Sequence, residues 1–191
     1  MDVVSQAMDQ IANLESIRNL PTLVDLLSTL KRRPSVHWLL PLRICQVVGG
    51  NEEDAIPAVA ATIALHSGIV MIDDLLDHDH RFEGTGMESG DIANYSSAIL
   101  AAGYSSIFQS RLSMQIKQTI FEHINTCIGM TAIGQYLDTH SVISNEDDYW
   151  KVMHLKSAPF FVQHFLLALC WERYPRMKPK FLKKLVVCLV K

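Results

Sequence analysis

Three carboxylates close the longest apolar stretch of the chain, Ile69-Val70-Met71-Ile72-Asp73-Asp74-Leu75-Leu76-Asp77. From Ala55 to Ile72 the only side chains able to hydrogen-bond are Thr62, His66 and Ser67, so the pattern predicts a helix that is apolar almost all round and buried in a bundle. Asp73 and Asp77 are four residues apart and share a face, with Asp74 about 100° away round the helix. All three fall near the helix C-terminus, where the macrodipole is already negative. Burial, mutual repulsion and dipole all oppose them, which calls for a compensating cation. Hard oxygen donors with no cysteine nearby suit Mg²⁺ holding a phosphorylated ligand.

The elements that must position these side chains read as helix after helix. Residues from about Val4 to Leu20 keep a helical period, and Pro21 begins a second helix running to Lys31. Pro34 interrupts, and Val36 to Val48 resumes an apolar pattern that Gly49-Gly50-Asn51 ends. Glu52, Glu53 and Asp54 then supply the acidic first turn of the long helix, with Pro57 in its opening. A polar loop spans His78 to Gly90. Asp91 to about Ile128 is helical with a break near Gln109 to Ser113, and Gly129 to His140 continues the pattern. Asn145 caps a further helix through Glu172, kinked by Pro159 just after Lys156. Tyr174 to Pro179 reads as a turn before a short basic and apolar segment to Lys191. The fold class is all-α, with no strand pair, internal repeat or low-complexity tract.

The 191 residues suit a single domain spanning 1–191. A formal charge of −3 and the lack of a basic stripe with interleaved aromatics argue against a nucleic-acid partner. Cys45, Cys127, Cys170 and Cys188 are widely separated and lie mostly in apolar runs, as expected of thiols in a reducing cytoplasm. The start lacks the basic flank and apolar core of a signal peptide, and no uninterrupted apolar run reaches the roughly 18 residues of a membrane span.

Five segments extend the argument. Asp73-Asp74-Leu75-Leu76-Asp77 is preceded by His66 and, further upstream, by Lys31-Arg32-Arg33-Pro34. Downstream stand Gly134-Gln135-Tyr136-Leu137-Asp138, then Tyr149 seven residues before Lys156-Ser157-Ala158. In these segments, their order and their separations the chain resembles the trans-isoprenyl diphosphate synthases. The resemblance implies an isoprenoid-synthase-type helical bundle around a central cavity. It also implies C-terminal incompleteness, because the family's second aspartate-rich motif would fall beyond Lys191. The implied activity is Mg²⁺-dependent condensation of an allylic prenyl diphosphate with isopentenyl diphosphate, by a protein expected to be a homodimer.

By the same resemblance Asp73 and Asp77 ligate metal and Asp74 supports them. Asp138 and Gln135 hold metal-bound water or orient Lys156, which neutralises the departing diphosphate. Lys31, Arg33, His66 and Arg81 contact diphosphates. Gly68, Leu65 and Thr62, on the helix face below the metal site, set product length, and without an aromatic among them products of C20 or longer are expected. Two departures stand beside these matches: Phe82 and Glu83 occupy the places of the family's Arg-Arg pair, and Leu30 that of a lysine. They leave room for a peptide prenyltransferase, a terpene-synthase-like enzyme, or a catalytically impaired diphosphate-binding or regulatory subunit. Plainer roles also compete. His66 suits a hydrogen-bonded core histidine, Lys31 to Arg33 a solvated helix end, and Gln135 and Asp138 contacts between helices. His78-Asp79-His80 could serve a transition metal or a phosphohydrolase.

Overall fold

A computed structural model describes residues 2–32, 34–47, 49–78 and 86–159, and every regular element among them is helical. The chain divides into two units, Met1–Leu112 and Ser113–Lys191. In the first lie α1 (Val3–Ala12), α2 (Glu15–Arg18), α3 (Pro21–Lys31), a 3₁₀ turn (Val36–Leu39), α4 (Leu40–Val47), α5 (Glu52–Leu76) and α6 (Ser89–Phe108). In the second lie α7 (Met114–His140) and α8 (Glu146–Lys156).

The first unit is built around α5. Asn51 caps it by accepting a hydrogen bond from the Asp54 amide at 2.9 Å, and Glu52, Glu53 and Asp54 complement the dipole of its first turn. Pro57 sits deeper than a first-turn proline, as the sixth residue of the helix, and so removes one backbone hydrogen bond. Val59, Ala60, Ala61, Ile63, Ala64 and Leu65 are fully buried. Six residues spread all round the wheel cannot be hidden by one neighbour, and α1, α4 and α6 all pack on α5. Among the described residues α5 alone is long and apolar enough to cross a membrane, and most of its most apolar window is buried within the fold.

α1 contributes Val3, Val4, Ala7, Met8 and Ile11 to the core. Its cap is Asp2, which accepts from the Ser5 amide at 2.9 Å and the Ser5 hydroxyl at 3.0 Å. The single helix expected from Val4 to Leu20 is broken instead. The Asn13 side-chain amide donates to the Asp9 carbonyl at 2.8 Å and Leu14 is extended, a local competition in which Asn commonly prevails over the helix. The break costs no burial, because both Leu14 and Ile17 still reach the core. Pro21–Lys31 matches its expected helix, while Val36 to Val48 opens as a 3₁₀ turn that buries Trp38.

α5 and α6 approach closely because each presents a glycine to a leucine of the other. A methyl on Gly68 would lie 2.6 Å from Leu100 Cγ, and one on Gly103 would lie 2.6 Å from Leu65 Cγ. The break at Gln109 to Ser113 stands as expected, between α6 and α7. Asn145 caps α8 by accepting from the Asp148 amide at 2.9 Å, and the helix stops at Lys156, three residues before Pro159. The expected continuation through Glu172 and the turn at Tyr174 to Pro179 lie outside the described residues.

Gly68→Ala and Gly103→Ala should each lower stability by about 1–3 kcal/mol through overpacking, more than the gain of about 1 kcal/mol in helix propensity. Urea midpoints check this. Hydrogen bonds from the Ser5 backbone and side chain hold the Asp2 carboxyl below its ordinary value of 3.8. Its contribution is therefore present in full above pH 3.8 and lost as pH falls through the lowered value. Asp2→Ala should cost about 0.5–1 kcal/mol at neutral pH. Unfolding curves of the two proteins should converge in acid.

Candidate functional site

The carboxylates at the end of α5 meet three different environments. Asp74 is 2% exposed, Asp73 is half-buried with its Oδ1 inaccessible to solvent, and Asp77 is exposed at the C-cap. The Asp77 amide donates to the Asp73 carbonyl at 2.9 Å, so the helix runs unbroken between the two and keeps their side chains one turn apart on one face. Asp74 is turned inward, away from that pair. Among the described residues no three His, Cys, Asp or Glu side chains gather in a group able to hold a metal. A two-carboxylate donor set nevertheless fits Mg²⁺, which ordinarily takes one or two carboxylates and completes its octahedron with water and ligand phosphate oxygens.

His66 lies two turns before Asp73 on the same face of α5, since a heptad drifts only about 20° round a helix. It is half-buried, and its Nδ1 accepts a hydrogen bond of 2.9 Å from Trp38 Nε1. Lys31, at the end of α3, donates to Asp9 Oδ1 of α1 at 2.7 Å. Both partners are partly exposed, at 32% and 49%, and such pairs contribute only about 0.2–1 kcal/mol, so the ammonium is not committed to Asp9. Arg33 and Arg81 lie outside the described residues.

Gly68, Leu65 and Thr62 are all buried on α5. Gly68 and Leu65 belong to the α5–α6 contact, where a larger side chain at 68 would meet Leu100 first. Thr62 is fully buried, and its hydroxyl makes no hydrogen bond among the described residues; the Ser67 hydroxyl is in the same position.

In the second unit two sequence segments meet. Lys156, from the last turn of α8, donates to Asp138 Oδ2 of α7 at 2.7 Å, with the two side chains 19% and 31% exposed. Gly134, one turn before Asp138, lies against the α8 backbone: a methyl there would overlap Leu155 and Lys156, coming within 2.6 Å of the Lys156 Cα. Gln135 is buried beside it on α7. The Gly-Gln-x-x-Asp segment thus does two jobs. Its glycine lets the end of α8 approach, and its aspartate fixes the lysine that the approach delivers. Tyr149 is half-exposed and packs edge-on against Trp150.

No family model matches the chain, and no curated protein matches it. The chemistry therefore rests on these residues.

Two positions escape a search for reactive groups, Gly134 and Trp38. Gly134 was visible only as a letter in a motif, since close backbone approach carries no periodic signal. Trp38 lies 28 residues from His66 in an apolar run, and nothing in the spacing joins them. Gly134→Ala should displace the end of α8 and cost about 1–3 kcal/mol. Hydrogen exchange at the amides of Val152 to Lys156 should accelerate while α1 and α5 stay protected.

Proposed function

We propose that this chain is an Mg²⁺-dependent prenyltransferase that condenses an allylic prenyl diphosphate with isopentenyl diphosphate to a longer prenyl diphosphate, of C20 or more. The fold it implies is an isoprenoid-synthase-type helical bundle. The observation that carries the reading is the end of α5, where an otherwise apolar, buried helix terminates in three carboxylates, one of them in the core. Dipole and desolvation both disfavour negative charge at that point, and a divalent cation with its phosphate ligand offsets both.

In this reading Asp73 and Asp77 hold the metal, and Asp74 supports them. The bound Mg²⁺ would supply charge neutralisation for the departing diphosphate. Within the second unit Lys156 is held by Asp138, and the family resemblance assigns this ammonium to the departing diphosphate. Lys31 and His66 are diphosphate contacts. The apolar faces beside α5 exclude water from an allylic cation, which would otherwise be quenched.

Incubation with Mg²⁺, labelled isopentenyl diphosphate and allylic primers of several lengths tests this directly. Label should enter extended prenyl chains, chelation should abolish incorporation, and Asp73→Asn or Asp77→Asn should each lower kcat/KM on the order of a hundredfold or more. The departure at Phe82 and Glu83, where the family carries arginines, favours a second reading, a diphosphate-binding subunit without turnover. Mg²⁺-dependent diphosphate binding with no incorporation from any primer would select it and reject the synthase.

A further inference from the structure

We propose that the outer end of the second unit, the loop between α7 and α8 with the first turns of α8, docks on bilayers of choline lipids. Val142 and Ile143 enter the acyl boundary, while Tyr149, Trp150 and the carboxylates beside them receive the trimethylammonium group. The proposal is independent of the prenyltransferase reading and uses none of the residues to which that reading gives a role.

The last turn of α8 meets α7 at Gly134 and Asp138. The eleven residues of α8 span about 16 Å, so its first turn and the loop that feeds it stand well away from that contact. Exposure agrees: from Thr139 to Lys151 every residue except Asp148 is exposed. A loop so placed is ordinarily polar, yet Val142 is 85% exposed and Ile143 beside it 41%, with Tyr149 and Trp150 following at 47% and 50%. An aliphatic tip backed by tyrosine and tryptophan suits a membrane–water boundary, where amphipathic rings sit at headgroup depth.

Charge selects the lipid. The same stretch sets Glu146, Asp147 and Asp148 against Lys151 alone, so an anionic bilayer would repel it. The rings of Tyr149 and Trp150 have centroids 5.4 Å apart and planes at 71°, which makes a corner of two aromatic walls. Trp150 Nε1 donates to Glu146 Oε1 at 3.0 Å, holding the indole and bringing a carboxylate beside it. A quaternary ammonium offers no N–H to a hydrogen-bond acceptor and is bound instead by aromatic faces and adjacent negative charge, as this corner provides. The zwitterionic choline headgroup carries that cation without adding net negative charge to the surface.

Co-sedimentation of the full chain with phosphatidylcholine vesicles, and in parallel with phosphatidylglycerol vesicles, tests the proposal. The unsubstituted protein should pellet with the first and bind the second several-fold more weakly. Val142→Ser combined with Ile143→Ser should weaken binding to phosphatidylcholine on the order of ten-fold, and Trp150→Ala several-fold. Val47→Ser, which removes a valine 79% exposed in the first unit, should leave binding as it was. All these side chains are exposed, so circular dichroism should show the same helicity in every variant. Absence of binding to phosphatidylcholine, or tighter binding to phosphatidylglycerol, overturns the proposal without recourse to any variant. Undiminished binding by the Val142 and Ile143 double variant, or an equal loss in Val47→Ser, overturns the assignment to this end of the unit. Undiminished binding by Trp150→Ala overturns the ammonium contact.

Discussion

From Ala55 to Met71, α5 offers water almost nothing to bond, and the rest of the first unit is arranged around that fact. A helix apolar on every side gains from burial on every side, at roughly 25 cal/mol per Å² of apolar surface covered. Covering it takes several partners, and they must come close. Gly68 and Gly103 are the consequence: each removes the one methyl that would hold α5 and α6 apart, and each receives a leucine from the opposite helix. The same all-round burial makes the end of the helix exceptional. Where hydrophobic surface stops, charge begins, and the step from Met71 to Asp74 takes place within one turn while the helix is still inside the protein.

The two units solve the problem of holding charge in different ways. At the end of α5 a run of carboxylates is graded from buried to exposed over a single turn, which suits a metal approached from solvent. Between α7 and α8 a lysine and an aspartate neutralise each other, which suits a side chain stored for use. His66 belongs to neither type. Its Nδ1 accepts a hydrogen bond from an indole, and it lies on the face of α5 that Asp73 and Asp77 share.

Much of the fold was legible because its signals are local. Pro21 and Lys31 bound a helix as their end preferences predict, Asn51 and Asn145 cap as short polar residues do, and Pro159 follows closely on the end of α8. The places where local reading failed are those where two local preferences compete. Helical periodicity from Val4 to Leu20 was outweighed by an Asn13 side chain that takes a carbonyl for itself, and at Val36 a serine-capped 3₁₀ turn replaced the first turn of an α-helix. Periodicity measures which residues want the core. It does not measure whether the backbone between them is continuous.

For the candidate site the division is similar. Residue order alone determined that an apolar helix ends in Asp73, Asp74 and Asp77, and helical geometry determined that Asp73 and Asp77 share a face. The family resemblance had Asp138 hold metal-bound water or orient Lys156, and Asp138 forms an ion pair with Lys156. Only tertiary structure decided which of the three carboxylates lies in the core, that Lys31 leans on Asp9, that Gly134 is the gap through which the end of α8 approaches, and that His66 answers to Trp38. The reason is physical: burial, hydrogen bonding and close approach depend on what arrives from the other side, and a helix carries no record in its own spacing of the side chain that will meet it.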